Sequence, residues 1–390
     1  MKASLILLLL VYAAFVSLGL PDGAFGAGWP AMRVELRQPL EALGLATCLW
    51  TTCSALSSFV SAYVLVRLGT LNVVLVSGLL TACALLGFSL APSFAWVVVL
   101  AVPLGFGAGS VDAGLNHHAA AHYSSRHMNW LHASWGVGAT LGPLALSAAI
   151  AGPGGWRAGY VAIGLGQLVL VLLLFLSRGL WPAHAGQAAP ISDGDAPGGA
   201  VRSSLTLWLG PASFALYAGA EGGIGMWAAS VLRDSRGFSA AGAGTVVASY
   251  FAAITLGRIV SGVAADRVGN RRLVRWGLGI AGLGVAVFAW PGGTLAAISG
   301  LTLIGLGFAP IYPCLMHETA QRFDAASARL VIGRQVACAY LGGMFIAPLI
   351  GFLAGAMGLF VIAPAVGWFV LLLTATVIAL DRQTPRDVLR

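Results

Sequence analysis

The chain is patterned in long apolar runs, residues 168–176 being one, separated by short clusters of Pro, Gly and charged residues. A helix that crosses the hydrocarbon core of a bilayer needs about 20 apolar residues. Breaks at Pro, Gly or charge divide the sequence into twelve segments of that length, starting near residues 4, 42, 73, 95, 129, 158, 204, 239, 274, 295, 330 and 359. A membrane β-barrel would instead alternate polar and apolar residues in short strands. The pattern predicts an all-α membrane protein with twelve transmembrane helices.

The one long polar interruption, residues 182–203, is rich in Pro, Gly and Ala and reads as a flexible cytoplasmic linker. It divides the chain into 1–181 and 204–390, with six predicted helices on each side. The two halves share a register. Adding 200 takes Val60-Ser61 to Val260-Ser261, Arg67 to Arg267 and Gly69 to Gly269. The same shift takes Gly105 and Gly107 to Gly305 and Gly307, His117 to His317 and Gly142 to Gly342. Parallel repeats of this kind predict two pseudo-symmetric six-helix bundles with a solute site expected at their interface, near the middle of the membrane.

Of the 390 residues, 58% are hydrophobic and 9% charged, and the mean hydropathy is +0.89. A soluble domain carries about 25% charged residues, so the apolar surface here must face lipid. The net charge of +8 raises nucleic acid as a partner, but that needs cations clustered beside aromatic or polar readers. Here the cations fall in short inter-helix loops. With both termini in the cytoplasm, most of them lie inside, leaving Arg33, Arg37, Arg157, Arg233 and Arg236 outside, as the positive-inside rule requires. The basic balance therefore records the topology of a multi-pass inner-membrane protein, and no nucleic-acid partner is expected. The apolar run after Lys2 lacks a small-residue cleavage site before Pro21-Asp22 and reads as a first span rather than a signal peptide. Cys48, Cys53, Cys83, Cys314 and Cys338 lack disulfide or metal-ligand spacing, and neither a metal nor a cofactor is expected. Trp29, Trp181 and Trp208 are expected in the interfacial aromatic belt.

Gly262, Asp266, Arg267, Gly269, Arg271 and Arg272 fall in the spacing Gly-x-x-x-Asp-Arg-x-Gly-x-Arg-Arg. This resembles the loop signature of the major facilitator superfamily. The matching loop in the first half retains only Arg67 and Gly69, with Val66 in the acid's place. The resemblance implies two six-helix bundles and a latching role for Asp266, Arg267 and Arg271. Four shorter motifs are similar to the fucose permease and glucose-transporter-like branch: Gly107-Ala-Gly109 with Asp112 and Asn116; Pro21-Asp22-Gly23; Tyr217 and Gly219 with Glu221 and Trp227; and Asn129-Trp130 with His132 and Trp135. That branch implies proton-coupled sugar symport, although Glu221 stands where its fucose-specific members have an amide.

Ionisable groups inside hydrocarbon cost about 2.5–3.5 kcal/mol at a helix centre and require a partner, a wet cavity or a function. Asp22, Asp112 and Glu221 are such groups. A carboxyl that is alternately wet and dry takes up a proton on one side and releases it on the other, which assigns proton coupling to Asp112 and Asp22. Asn116, one turn from Asp112, is placed to bind a hydroxyl-rich solute together with Glu221, Trp227, Trp135 and His132. Asp112 also fits a structural hydrogen bond, Asp22 an exposed place at the outer mouth, and His132 a contact between helices. His117 and His118 read as a solvated helix end. His317, Glu318 and Arg334 are expected to form a salt-bridged gate, and Arg258 to pair with an acid.

These readings point to a secondary transporter, a monomer that carries a sugar-like solute by proton-coupled symport, with H+ favoured over Na+. Proton-driven efflux of amphipathic cations, anchored by Glu221, is the alternative on the same fold. A non-transporting sensor is a third reading, disfavoured by the short segment after Leu380. An enzyme would need a nucleophile and base or a metal set at the water interface, and none stands out.

Overall fold

The computed structural model describes residues 2–122, 125–181, 204–323 and 325–384. The expected linker, residues 182–203, lies outside the described residues. Six helices precede it: α1 (Lys2–Glu35), α2 (Ala42–Leu68), α3 (Thr70–Ser89), α4 (Phe94–His122), α5 (Ser125–Ala151) and α6 (Gly155–Leu176). Seven follow: α7 (Ser204–Arg236), α8 (Ala240–Val268), α9 (Asn270–Ala289), α10 (Gly293–Phe308), α11 (Ile311–Arg322), α12 (Ala325–Met357) and α13 (Ile362–Gln383). No strand occurs among the described residues. Among the described residues eleven stretches are long and apolar enough to cross a membrane, α10 and α11 counting as one. Helix α7 has the length, at 33 residues, but is diluted by Glu221 and by Gly222, Gly223 and Gly225.

Two local features depart from the expected pattern. The segment starting near residue 295 is two helices, because Ala309 and Pro310 form a turn and Pro310 caps α11; a proline has no N–H to continue the ladder. Conversely, α1 runs unbroken through Pro21 and Pro30 to Glu35. Trp29 is not in an aromatic belt. It is wholly buried, with its Nε1–H donated to the Leu40 carbonyl at 2.9 Å and its ring against Phe94. Trp208 is half exposed.

The described residues gather into two compact units. The first contains α1–α6 with residues 228–252, which are the later part of α7 and the earlier part of α8. In it α1 packs along α5, α4 lies against both α2 and α3, and α6 lies against α3 and α5. Its core includes Val11, Phe15, Val111, Leu115, Leu131 and Leu174. The second unit contains residues 204–227, the rest of α8 and α9–α13. There α9 packs against α10, α11 and α13, and α12 against α11 and α13.

Lipid tails are as apolar as leucine, so helices in a bilayer associate through close packing, and small residues let the backbones approach. On α1 and α5 this is done by Gly19, Gly23, Gly138 and Gly142: a Cβ on any of them would overlap a carbonyl of the facing helix, that of Trp135, Ala139, Val16 or Leu20. The register of the repeat extends to these contacts. Gly107 of α4 faces Ser77 and Thr81 of α3, and Gly307 of α10 faces Gly277 and Ala281 of α9, each 200 residues further on. Gly142 meets the Leu20 carbonyl of α1, as Gly342 meets the Ala215 carbonyl of α7. The turns α2–α3 and α8–α9 match too. Gly69 and Gly269 have φ of 76° and 87°, a conformation open to glycine at little cost. Each donates its N–H to the carbonyl four residues back and accepts one from the residue four ahead.

The packing sets a test within one helix. A Cβ on Gly342 would run into α7, whereas Gly343 has nothing within 4 Å. Gly342→Ala is expected to destabilise the protein by about 1–3 kcal/mol, the usual range for overpacking, and Gly343→Ala to leave it unchanged or slightly stabilised. Thermal unfolding of the two variants in detergent checks this.

Candidate functional site

In the first unit the close approach of α1 and α5 brings Trp135 onto Asp22. The indole Nε1–H donates to Asp22 Oδ2 at 2.7 Å. Asp22 is exposed, and it lies within electrostatic reach of Asp112 on α4. One turn along α4, Asn116 Nδ2 donates to Asp112 Oδ1 at 2.9 Å and to the Asp112 carbonyl at 3.0 Å. The amide thereby turns its oxygen away from the acid, and Asn116 Oδ1 is a buried acceptor with no partner among the described residues. His132, one turn before Trp135, is exposed and meets the ring of Phe15 edge-on at 5.8 Å. Asp22, Asp112, Asn116, Trp135 and His132 thus belong to one unit and to three helices, α1, α4 and α5.

The second unit holds the third intramembrane acid, in a different state. Arg258 Nη2 of α8 donates to Glu221 Oε1 at 3.0 Å and to the Tyr217 hydroxyl at 3.2 Å. The acid that Arg258 was expected to find is therefore Glu221. Tyr217 is buried and packs edge-on to Phe308. Trp227, expected to present its ring to a solute, is wholly buried instead. Its Nε1–H donates to the Ala347 carbonyl at 2.7 Å, and its ring fills the space left free by Gly351. With both its face and its N–H used by α12, Trp227 is a packing residue.

At one end of the second unit a charge cluster forms with other members than expected. Arg271 Nε donates to Glu318 at 2.7 Å, Arg275 Nη2 to Asp381 at 2.7 Å, and Arg322 Nη2 to the other Asp381 oxygen at 2.7 Å. Arg322 also donates to Thr384 Oγ1. Burial lowers the pKa of Arg322, and the hydrogen bond to Asp381 draws it back up. Arg334 stands over the ring of Trp208, 4.6 Å from its centroid, and His317 accepts from the Asn270 amide. Arg267 is exposed, and the Asp266 side chain lies outside the described residues. Asp381 and Arg322 escaped the sequence reading. The i, i+4 spacing of Glu318 and Arg322 was a usable signal, and Asp381, as an acid close to the end of the last helix, was another.

The first unit has a second polar cluster that the sequence reading missed. Arg33 pairs with Asp234, and Arg233 donates to the Pro30 carbonyl, tying the last turn of α7 to the last turns of α1. His118, expected at a solvated helix end, is buried with its ring 5.0 Å from that of Trp181; the side chain of His117 is outside the described residues.

The fold and these intramembrane polar groups define a polytopic α-helical membrane transporter. The family model "Major Facilitator Superfamily" matches residues 7–348 and, again, 209–388. The chain belongs to the major facilitator superfamily, whose members are transporters and not enzymes. It is 26% identical over 277 residues to the glucose/mannose transporter GlcP of Bacillus subtilis, a match covering 68% of this chain and 67% of GlcP. A match of 26% over 156 residues to probable anion transporter 4, chloroplastic, of Arabidopsis thaliana covers 38% of this chain and 29% of that protein. Among solved structures, a bacterial homolog of the human lysosomal transporter Spinster, inward-facing and occupied, superposes with a TM-score of 0.80 at 14% identity over 99% of this chain and 98% of the other.

Removing one member of a buried ion pair leaves the other charge unpaired at a cost of about 3–5 kcal/mol, whereas removing both is nearly neutral. The Arg258 and Glu221 side chains are 19% and 16% exposed, which places Arg258→Met near the low end, about 3 kcal/mol. The double variant Arg258→Met with Glu221→Gln is expected to recover most of that loss. A double-mutant cycle of unfolding in detergent reads the coupling.

Proposed function

We propose that the chain is a secondary active transporter that carries a small, hydroxyl-bearing, sugar-like solute by alternating access, in symport with protons. The observation that carries this reading is the polar set on α1, α4 and α5 of one unit, where Trp135 holds Asp22, Asn116 holds Asp112, and Asn116 Oδ1 is buried without a partner among the described residues. An exposed carboxylate within a span is costly against lipid, so Asp22 is read as facing water. Asp112 and Asp22 are assigned the proton. Asn116, whose amide oxygen is left without a partner among the described residues, is assigned a solute hydroxyl, and Trp135 and His132 of the same unit are assigned to the solute with it. Glu221 is assigned to the solute through its contact with Arg258 and Tyr217. The 26% identity to a protein named as a glucose/mannose transporter supports the solute class.

Efflux of cations anchored by Glu221 is less well supported, since Arg258 already neutralises that acid. The positive-inside distribution supports a place in the cytoplasmic membrane with both termini inside, and the protein is proposed to act as a monomer. Asp266, Arg267, Arg271 and Glu318 are assigned to a cytoplasmic gate, joined by Arg322 and Asp381, while Arg334 over Trp208 stands outside that cluster.

Counterflow in proteoliposomes with a panel of sugars and lipophilic cations tests the solute class. With the sugar so identified, an inward-directed proton gradient is expected to drive accumulation in the parent protein. Asp112→Asn is expected to abolish accumulation while retaining counterflow exchange. Uptake indifferent to the gradient, or a concentrative Asp112→Asn variant, overturns the proton assignment.

A further inference from the structure

The charge cluster at the Asp381 end of the second unit has an excess of cations that its own acids do not satisfy. Glu318 and Asp381 are shared among Arg271, Arg275 and Arg322. Arg272 and Arg382 stand exposed beside them and pair with no acid among the described residues. A recess of about 390 Å³ opens between α9 and α13, lined by Arg275, Ile378, Asp381 and Arg382. The Arg275 side chain is 55% exposed even while it pairs with Asp381. The Asp381 side chain is only 6% exposed and has both oxygens occupied, one by Arg322 and one by Arg275. An anion entering the recess therefore meets guanidinium N–H groups and a carboxylate already neutralised.

Ile378 lines the recess, and both helices that bound it carry further exposed apolar residues. On α13 Leu371 and Ile378 are exposed, and on α9 Trp276, Ile280 and Leu283 are. In a chain whose apolar surface faces lipid, such a strip takes an acyl chain. The arginines at its end take the phosphate, which guanidinium groups bind through paired N–H donors.

We propose that this recess is a binding site for the headgroup of an anionic phospholipid, with Arg275 and Arg382 holding the phosphate and the α9–α13 strip holding the acyl chains. The site is independent of the solute and coupling assignments above. It differs from general attraction of loop arginines to a charged membrane surface in depending on two particular arginines and on a lipid that carries both the charge and the chains.

Thermal unfolding of the full chain in neutral detergent provides the test, with phosphatidylglycerol, phosphatidylcholine or inorganic phosphate added at matched concentrations. Phosphatidylglycerol is expected to raise the melting temperature in a saturable way, by mass action. Arg382→Gln, at an exposed position with no acid partner, and Arg275→Lys, which keeps the charge facing Asp381, are each expected to raise the half-saturating lipid concentration about five-fold or more, measured against the same variant without lipid. Arg178→Gln, at an exposed arginine elsewhere, is expected to keep the parent response. The proposal is overturned if phosphatidylglycerol produces no shift, or if Arg382→Gln and Arg275→Lys respond as the parent does. It is equally overturned if Arg178→Gln weakens the response as much, which would mark bulk charge, or if phosphatidylcholine or inorganic phosphate reproduces the shift.

Discussion

Backbone-to-backbone contact between helices, possible only where glycine replaces a side chain, is the constraint on which the rest of this structure depends. In hydrocarbon there is no hydrophobic force to press helices together, so their attraction comes from packing at short range. Gly19, Gly23, Gly138 and Gly142 seat α1 on α5, and Gly105 and Gly109 seat α4 on the carbonyls of Trp50 and Ser54 in α2. The polar geometry follows from that seating. Trp135 reaches Asp22 because α5 lies directly on α1, and Trp227 is enclosed because Gly351 leaves room for its ring.

Against this shared scaffold the two units treat their buried polar groups differently. In the second unit Glu221 has an arginine in the same unit, and that arginine also binds Tyr217. In the first unit Asp22 accepts an indole N–H and Asp112 an amide N–H, and Asn116 keeps a buried oxygen without a partner among the described residues. A satisfied pair gains little from a visiting solute, whereas a buried acceptor without a partner, as Asn116 Oδ1 is, gains more. The asymmetry fits the proposal, in which the first unit handles the proton and Glu221 meets the solute while held by Arg258 and Tyr217. The cluster around Asp381 is a third case, with acids fully engaged and cations in excess, and an excess of cations at a membrane protein's edge calls for an anion.

Much of the fold was legible in the sequence. The apolar runs placed the helix starts within a few residues, and the shift of 200 located glycines that meet matching neighbours in both halves. Gly69 and Gly269 adopt the same unusual φ although the loop signature is eroded around the first. The candidate site was legible in part: Asp112 with Asn116 is a spacing on one helix, and the sequence states it directly. Trp135 with Asp22 and Arg258 with Glu221 join residues 113 and 37 positions apart, and only their membership of the site, not their pairing, was visible.

The sequence by itself determined most of the helical segments, that the chain enters a membrane many times and where the repeat lies, because each of these depends on local hydrophobicity or on residues a fixed number of steps apart. The tertiary structure decided which way each helix is turned. It buried Trp29, Trp227 and His118, bound Glu221 to Arg258, moved Arg334 onto Trp208 and made Asp381 the centre of a charge cluster. The physical reason is rotational. A helix that is apolar on nearly every face carries little signal for its orientation about its own axis, and that orientation is fixed only when glycines and side chains of neighbouring helices fit together.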